Sequence, residues 1–247
     1  MMRRTVAVVL LWIPIAGGPE CGMWNGECGM TRASSVRMIP HSAFRIPQSP
    51  LTIARLHYDG GGDWYANPSS LPNLLAAARE RTGLSVAPRE RVVRLTDADL
   101  WDLPYLYMTG HGNVAFSAPE VALLRRYLEQ GGFLHADDNY GMDQAFRREI
   151  ARVFPDHPLV EVPVDHPVYH LVYEFPDGLP KVHEHDGQPA QGFGVFLEGR
   201  LVVFYSYQSD LGDGWEDPDV HRDPPELREA ALRMGVNLLA YAVGATR

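Results

Sequence analysis

Beyond Leu51 the chain alternates short apolar runs with stretches of helical periodicity, and few folds accept that pattern. Strands separated by helices re-enter a sheet pointing the same way, so the alternation predicts βαβ units around a mostly parallel sheet. Strands are expected at Leu51–His57, Val92–Leu95, Tyr105–Thr109 and Phe133–Ala136, and helices at Leu71–Arg81, Val121–Gln130 and from an Asp143 cap to Phe154. Ser69 or Ser70 caps the first helix and Gly83 ends it, while Ser117 and Glu120 form a capping box before the second. Proline and histidine crowd residues 155–191, which predicts an irregular insertion. Phe193–Leu197 and Leu201–Tyr207 flank Glu198-Gly199 as a hairpin, and a last helix spans Pro225–Val243. One α/β domain over residues 51–244 accommodates all of this.

The start of the chain is different. Met1-Met2-Arg3-Arg4 followed by the apolar run Thr5–Ala16 has the charge and length of a secretory signal. Residues 1–50 are therefore read as a signal-peptide-like leader with an irregular tail, and the protein is expected to be periplasmic or secreted. The run falls short of the roughly 20 apolar residues that cross a bilayer, so no stable membrane span is expected beyond that signal. The only cysteines, Cys21 and Cys28, lie in this leader, which leaves the domain without a thiol nucleophile or a thiolate metal site. A formal charge of −9 argues against nucleic acid as a partner, because phosphate binding takes clustered Lys and Arg. Lys181 is the only lysine, so Schiff-base chemistry has one candidate.

Several predicted strands empty into unusual turns: Tyr58 to Tyr65 with its triple glycine, Gly110-His111-Gly112-Asn113, Asp137-Asp138-Asn139-Tyr140-Gly141, and Ser209 to Glu216. Gly and Asp are common in turns, which accounts for any one of these taken singly. All follow strands, however, and open α/β sheets bind ligands beyond the carboxyl ends of their strands, so a shared small-molecule site is expected. Its candidate ligand-binding residues are Asp59, Gly61, Gly62, Asp63, Trp64, Tyr65, Gly110, Gly112, Asn113, Asp137, Asn139, Tyr140, Asp210, Asp213 and Trp215. Aromatic faces beside carboxylates suit sugar-like or cationic ligands; the same rings also serve as core packing.

Asp138, at a strand-to-helix turn, and His111, between two glycines, are the candidate catalytic pair. Asp137 either shares that chemistry or caps the following turn. Asp138, Asp210, Asp213, Glu216, His183 and His185 are candidate ligands for a divalent metal, although their spacing matches no strong metal signature. No nucleotide-cofactor motif is present. The residues leave three readings open: a domain binding a small polar or carbohydrate-like molecule, an Asp/His-dependent and metal-assisted hydrolase, and an envelope-protein interaction module that uses the aromatic stretch Tyr169–Phe175.

The phrases DGGGDWYANPSSLPNLL, YLYMTGHG, GGFLHADDNYGMD, HPVYHLVYEF and YSYQSDLGDGWED occur in order and resemble the bacterial domain of unknown function 4159 family. That resemblance implies an exported or membrane-tethered protein with a class I glutamine amidotransferase-like fold, a three-layer flavodoxin-like sandwich with a mostly parallel sheet and a C-terminal hairpin. It does not carry over amidotransferase chemistry. The turn where that superfamily places its cysteine holds Asp137-Asp138-Asn139, and the late strand that normally precedes its histidine and acid ends in Tyr207-Gln208-Ser209-Asp210, with an acid and no adjacent histidine.

Overall fold

The protein is described by a computed structural model over residues 50–245; the leader, its apolar run, Cys21 and Cys28 lie outside the described residues. Strands β1 (Ile53–Leu56), β2 (Arg91–Val93), β3 (Tyr105–Gly110), β4 (Phe133–Asp138), β5 (Val160–Glu161), β6 (Gln191–Leu197) and β7 (Arg200–Tyr207) form one sheet ordered β2-β1-β3-β4-β7-β6-β5. Strands β2, β1, β3, β4 and β7 pair in parallel, whereas β6 runs antiparallel to β7 and β5 antiparallel to β6. The sheet is thus mostly parallel, extended on one side by a hairpin. At the tip of that hairpin Glu198 and Gly199 both have positive φ, 50° and 80°, as a tight turn between twisted strands requires.

Helices α1 (Ser70–Thr82), α2 (Ala118–Glu129), α3 (Asp143–Val153), α4 (Leu211–Trp215) and α5 (Pro225–Ala245) complete the domain. Every residue of β1, β3 and β4 is buried, because both faces of the sheet are covered. Side chains alternate between two cores. Leu106 and Met108 of β3 join Leu124, Phe146 and Ile150 from α2 and α3, while Tyr105 and Tyr107 of the same strand join Leu74 of α1 and Leu239 of α5.

Most predicted elements are present with shifted ends, and the departures have physical causes. The capping box of α2 forms with both of its hydrogen bonds, and Gly83 ends α1 at φ 71°. Asp143 is the first residue of α3 rather than its cap; its carboxylate is drawn to Arg147 Nε at 2.7 Å and the Tyr205 hydroxyl at 3.1 Å. Strand β4 runs past Ala136 because Thr109 and Gly110 of β3 and Ser206 of β7 pair with its two aspartates. The insertion contains the short strand β5 and a 3-10 turn at Pro167–Tyr169. In its aromatic stretch Tyr169 is buried and Tyr173 and Phe175 are half-buried against the α1/α5 core, whereas Leu171 and Val172 are exposed. Among the described residues no helix is long and apolar enough to cross a membrane.

Candidate functional site

Because β1, β3, β4 and β7 are parallel, the loops that follow them emerge at one edge of the sheet, and hydrogen bonds knit them together. The β1 loop docks on the β3 loop through Gly62 N–H to Asn113 O at 2.9 Å and Ala115 N–H to Asp59 O at 2.8 Å. Glycine is required for that approach: a Cβ at Gly62 would stand 2.7 Å from Asn113 O, and Gly110, at φ 138°, is overlaid by Tyr58 and Asp63. Asp63 clamps His111 from both ends, taking its backbone N–H on one carboxylate oxygen and facing ring Nδ1 at 3.0 Å with the other. Partial burial opposes ionisation of Asp63, yet these bonds hold its carboxyl below the ordinary value.

Asp213, in the first turn of α4 just after β7, is the joint of the site. Its Oδ1 accepts the Asn67 amide at 2.6 Å and the Asn139 amide at 3.4 Å, and its Oδ2 faces His183 Nδ1 at 2.9 Å. Residues from the β1 loop, the β4 loop and the insertion therefore meet on one carboxylate. His183 turns its other nitrogen, Nε2, to Asp223 Oδ1 at 2.7 Å. The hydrogen bond to Asp213, reinforced by Asp223 and opposed by burial, raises His183 to about 9, so it is an imidazolium at neutral pH. His221 Nε2 lies 3.4 Å from Glu216 Oε2 and 3.8 Å from Asp213 Oδ1. His183, Asp213 and His221 can each offer a ligand atom within 4.8 Å of the others.

Asp210 is fully buried in a left-handed conformation, φ 56°. Its Oδ2 lies 2.5 Å from His185 Nε2, and its Oδ1 has no hydrogen-bond partner. Burial pushes its carboxyl up to about 8, with Asp137 and Asp213 adding to the effect. The His185 ring stacks on Tyr140 with centroids 4.4 Å apart, which ties the β4 loop to the insertion.

Asp137 is held differently. It is fully buried, and Ser206 Oγ–H and Leu211 N–H approach its Oδ1 while Gly212 N–H at 2.6 Å and Tyr107 O–H at 3.3 Å approach its Oδ2. Burial raises its pKa to about 7 against the pull of these donors. A chain of hydrogen bonds leads into it from the core, from Tyr105 through His135 to Ser206 at 2.9 Å a step. Since Ser206 gives its proton to Asp137, His135 donates from Nε2 and accepts at Nδ1, the neutral tautomer that its burial also demands, its pKa falling to about 3.

The edge therefore brings together Asp63 with His111, and Asp210 and Asp213 with His183, His185, Asn139 and Tyr140. It does not join His111 to Asp138: the Asp138 carboxylate, buried and raised in pKa mainly by that burial, accepts the Met142 amide at 3.1 Å, whereas His111 answers to Asp63. Trp215 is fully buried in the α1/α5 core, its indole N–H given to Ala231 O at 2.8 Å, so it presents no face to a ligand. Glu216 spends Oε1 on the Ser69 amide and hydroxyl, both at 3.0 Å. Asp59 is exposed and pairs with Arg94 at 3.2 Å, and Trp64 stacks on His57. Asn113 binds Gly60 O and Arg148. Tyr65 is exposed, as Tyr140 is at 45%. Gly61 and Gly112 have open space where a Cβ would stand, so their part is to supply positive φ, 90° and 83°.

Sequence reasoning missed Asn67, His221 and Asp223. The last two sit in His221-Arg222-Asp223-Pro224-Pro225, which reads as a linker into the final helix; the alternation of histidine and aspartate in that linker was the available signal.

Fold and site together define a thiol-free α/β domain whose carboxylates and imidazoles gather beyond the carboxyl ends of a mostly parallel sheet. The chain belongs to the family described as Domain of unknown function (DUF4159), whose model matches residues 52–243, in agreement with the ordered motifs of the sequence. No curated protein matches the sequence.

Proposed function

We propose that the domain is a cysteine-free relative of the class I glutamine amidotransferase-like, flavodoxin-like proteins, and that it binds a small polar or carbohydrate-like molecule at the carboxyl edge of its sheet. With β5 and β6 set aside, the order β2-β1-β3-β4-β7 follows the 2-1-3-4-5 order of flavodoxin-like sheets. Glutamine hydrolysis lacks a nucleophile here, because the strand end that would carry a thiol carries two buried aspartates. The observation that carries the reading is the joining of separate loops on the Asp213 carboxylate, since ordinary connections have no need of a shared buried charge. An edge rich in carboxylates, with Tyr65 and Tyr140 exposed on its loops, favours hydroxyl- or amine-bearing ligands over anions.

A thermal-shift series of polyols, amino sugars, amines and dicarboxylates tests this. Amine- or hydroxyl-bearing compounds are expected to raise the melting temperature of the wild type and to leave Tyr140→Ala unmoved. Stabilisation by dicarboxylates alone would refute the ligand class.

Hydrolysis is a second reading, favoured by the Asp63–His111 pair. Asp63 holds Nδ1, and among the described residues Nε2 has no partner, the arrangement of an oriented general base. Ester and amide panels compared between wild type and His111→Gln would detect it. The basic and apolar start of the chain supports export, which fractionation of a C-terminally tagged full chain would check.

A further inference from the structure

We propose that His183, Asp213 and His221 bind a divalent transition metal of the zinc class, with Asp210 and Asp223 as its supporting carboxylates. The assignment does not rest on the ligand reading above. Two imidazoles and one carboxylate form the donor set of an open zinc-type centre, in which a remaining position is left to water or substrate. Their ligand atoms already lie within 4.8 Å of one another. Metal–ligand bonds of about 2.0–2.2 Å place tetrahedral ligand atoms a little over 3 Å apart, so small side-chain rotations close the set.

The surroundings match what such ligands need. A metal-binding imidazole gives its second nitrogen to a carboxylate, and His183 Nε2 lies 2.7 Å from Asp223 Oδ1 while Nδ1 points to Asp213. The Asp213 carboxylate is oriented by two amide side chains from different loops. His221 is exposed, which gives an ion access from solvent.

An independent observation points to a bound cation. Four buried side-chain atoms among the described residues lack a hydrogen-bond partner: Arg81 Nη1, Gln208 Oε1, Asp210 Oδ1 and Asp223 Oδ2. The three oxygens are acceptors, and the two carboxylates among them flank His183, with Asp210 Oδ2 3.9 Å from its Nδ1. Asp210 is fully buried and the Asp223 side chain is 7% exposed. Buried carboxylate oxygens left without donors are costly, and a cation at His183, Asp213 and His221 would offset that cost by its charge.

The test is titration of chelator-treated full chain with Co²⁺, Zn²⁺ and Ca²⁺, read by calorimetry and by the visible spectrum of the Co²⁺ form. One Zn²⁺ or Co²⁺ per chain is expected, with intense visible bands of a low-coordinate site and no comparable Ca²⁺ binding. His221→Gln, at an exposed position, should weaken Zn²⁺ affinity at least ~100-fold with an unchanged circular dichroism spectrum, and Asp223→Asn should weaken it by roughly 10–100-fold. Absence of the Co²⁺ bands in the wild type overturns the proposal whatever the variants do. So does Ca²⁺ binding that His221→Gln leaves intact. A failure of the ligand screen with Zn²⁺ binding intact would sink the ligand reading and leave the metal centre standing.

Discussion

At the scale of single residues, charge governs the edge. His183 lies between Asp213 and Asp223, and in chelator-treated protein its proton replaces the cation that would otherwise neutralise them. Its pKa rises from 6.5 to about 9 on folding, so its contribution to stability is complete below pH 6.5 and disappears as the pH climbs through about 9. The melting temperature of the metal-free protein is therefore expected to fall between those values, and His183→Gln to flatten that part of the profile. A slope unchanged in the variant would remove His183 from the account. The turns at the edge were legible because glycine and aspartate mark them, but the part each side chain plays was not: Trp215 packs into the core and Asp138 answers to the Met142 amide. His221 and Asp223 were not legible, because their partners are far off in the chain and nothing local distinguishes them from a linker.

At the scale of elements, the informative cases are the end of β4 and the whole of α4. Aspartate is disfavoured in strands, so the pattern stops at Ala136, yet the strand continues because four donors satisfy Asp137 in place of water. Helix α4 is five residues with two glycines and has almost no intrinsic helical preference. Its first amides, Leu211 and Gly212, are held by Asp137 from another strand, a tertiary cap that no local motif announces. Asp137→Ala would leave both amides unsatisfied, at about 1–3 kcal/mol for each buried group, while the Ser206 hydroxyl keeps Ala136 O as an acceptor at 3.3 Å. A loss of several kcal/mol in urea unfolding is expected, together with weaker metal binding through displacement of Asp213. Wild-type stability in that variant would mean that α4 is anchored by packing alone.

At the scale of the whole molecule, the fold class was the most legible feature, since the order of strands and helices along the chain dictates a sheet covered on both faces. The strand order and the hairpin's attachment through β7 to β4 follow from pairing between distant segments, which periodicity does not specify. The two cores on either side of the sheet make a further expectation. Leu106 faces α2 and α3, and Leu239 packs with α1 on the opposite side. Each truncation to alanine should cost roughly 2–5 kcal/mol. Having no shared partners, the two should add to within about 0.5 kcal/mol in the double variant, within a single unfolding transition. Two separate transitions would show that the layers melt independently.

The bond between Asn67 and Asp213 spans 146 positions of sequence, and His183 joins that same carboxylate from the insertion. A growing polypeptide can lay down β1, β3 and β4 long before its last strand leaves the ribosome, but the centre needs both its first loop and its final turn. Chains cut short before α4 should therefore capture no metal, and that capacity would arrive only with completion of the domain.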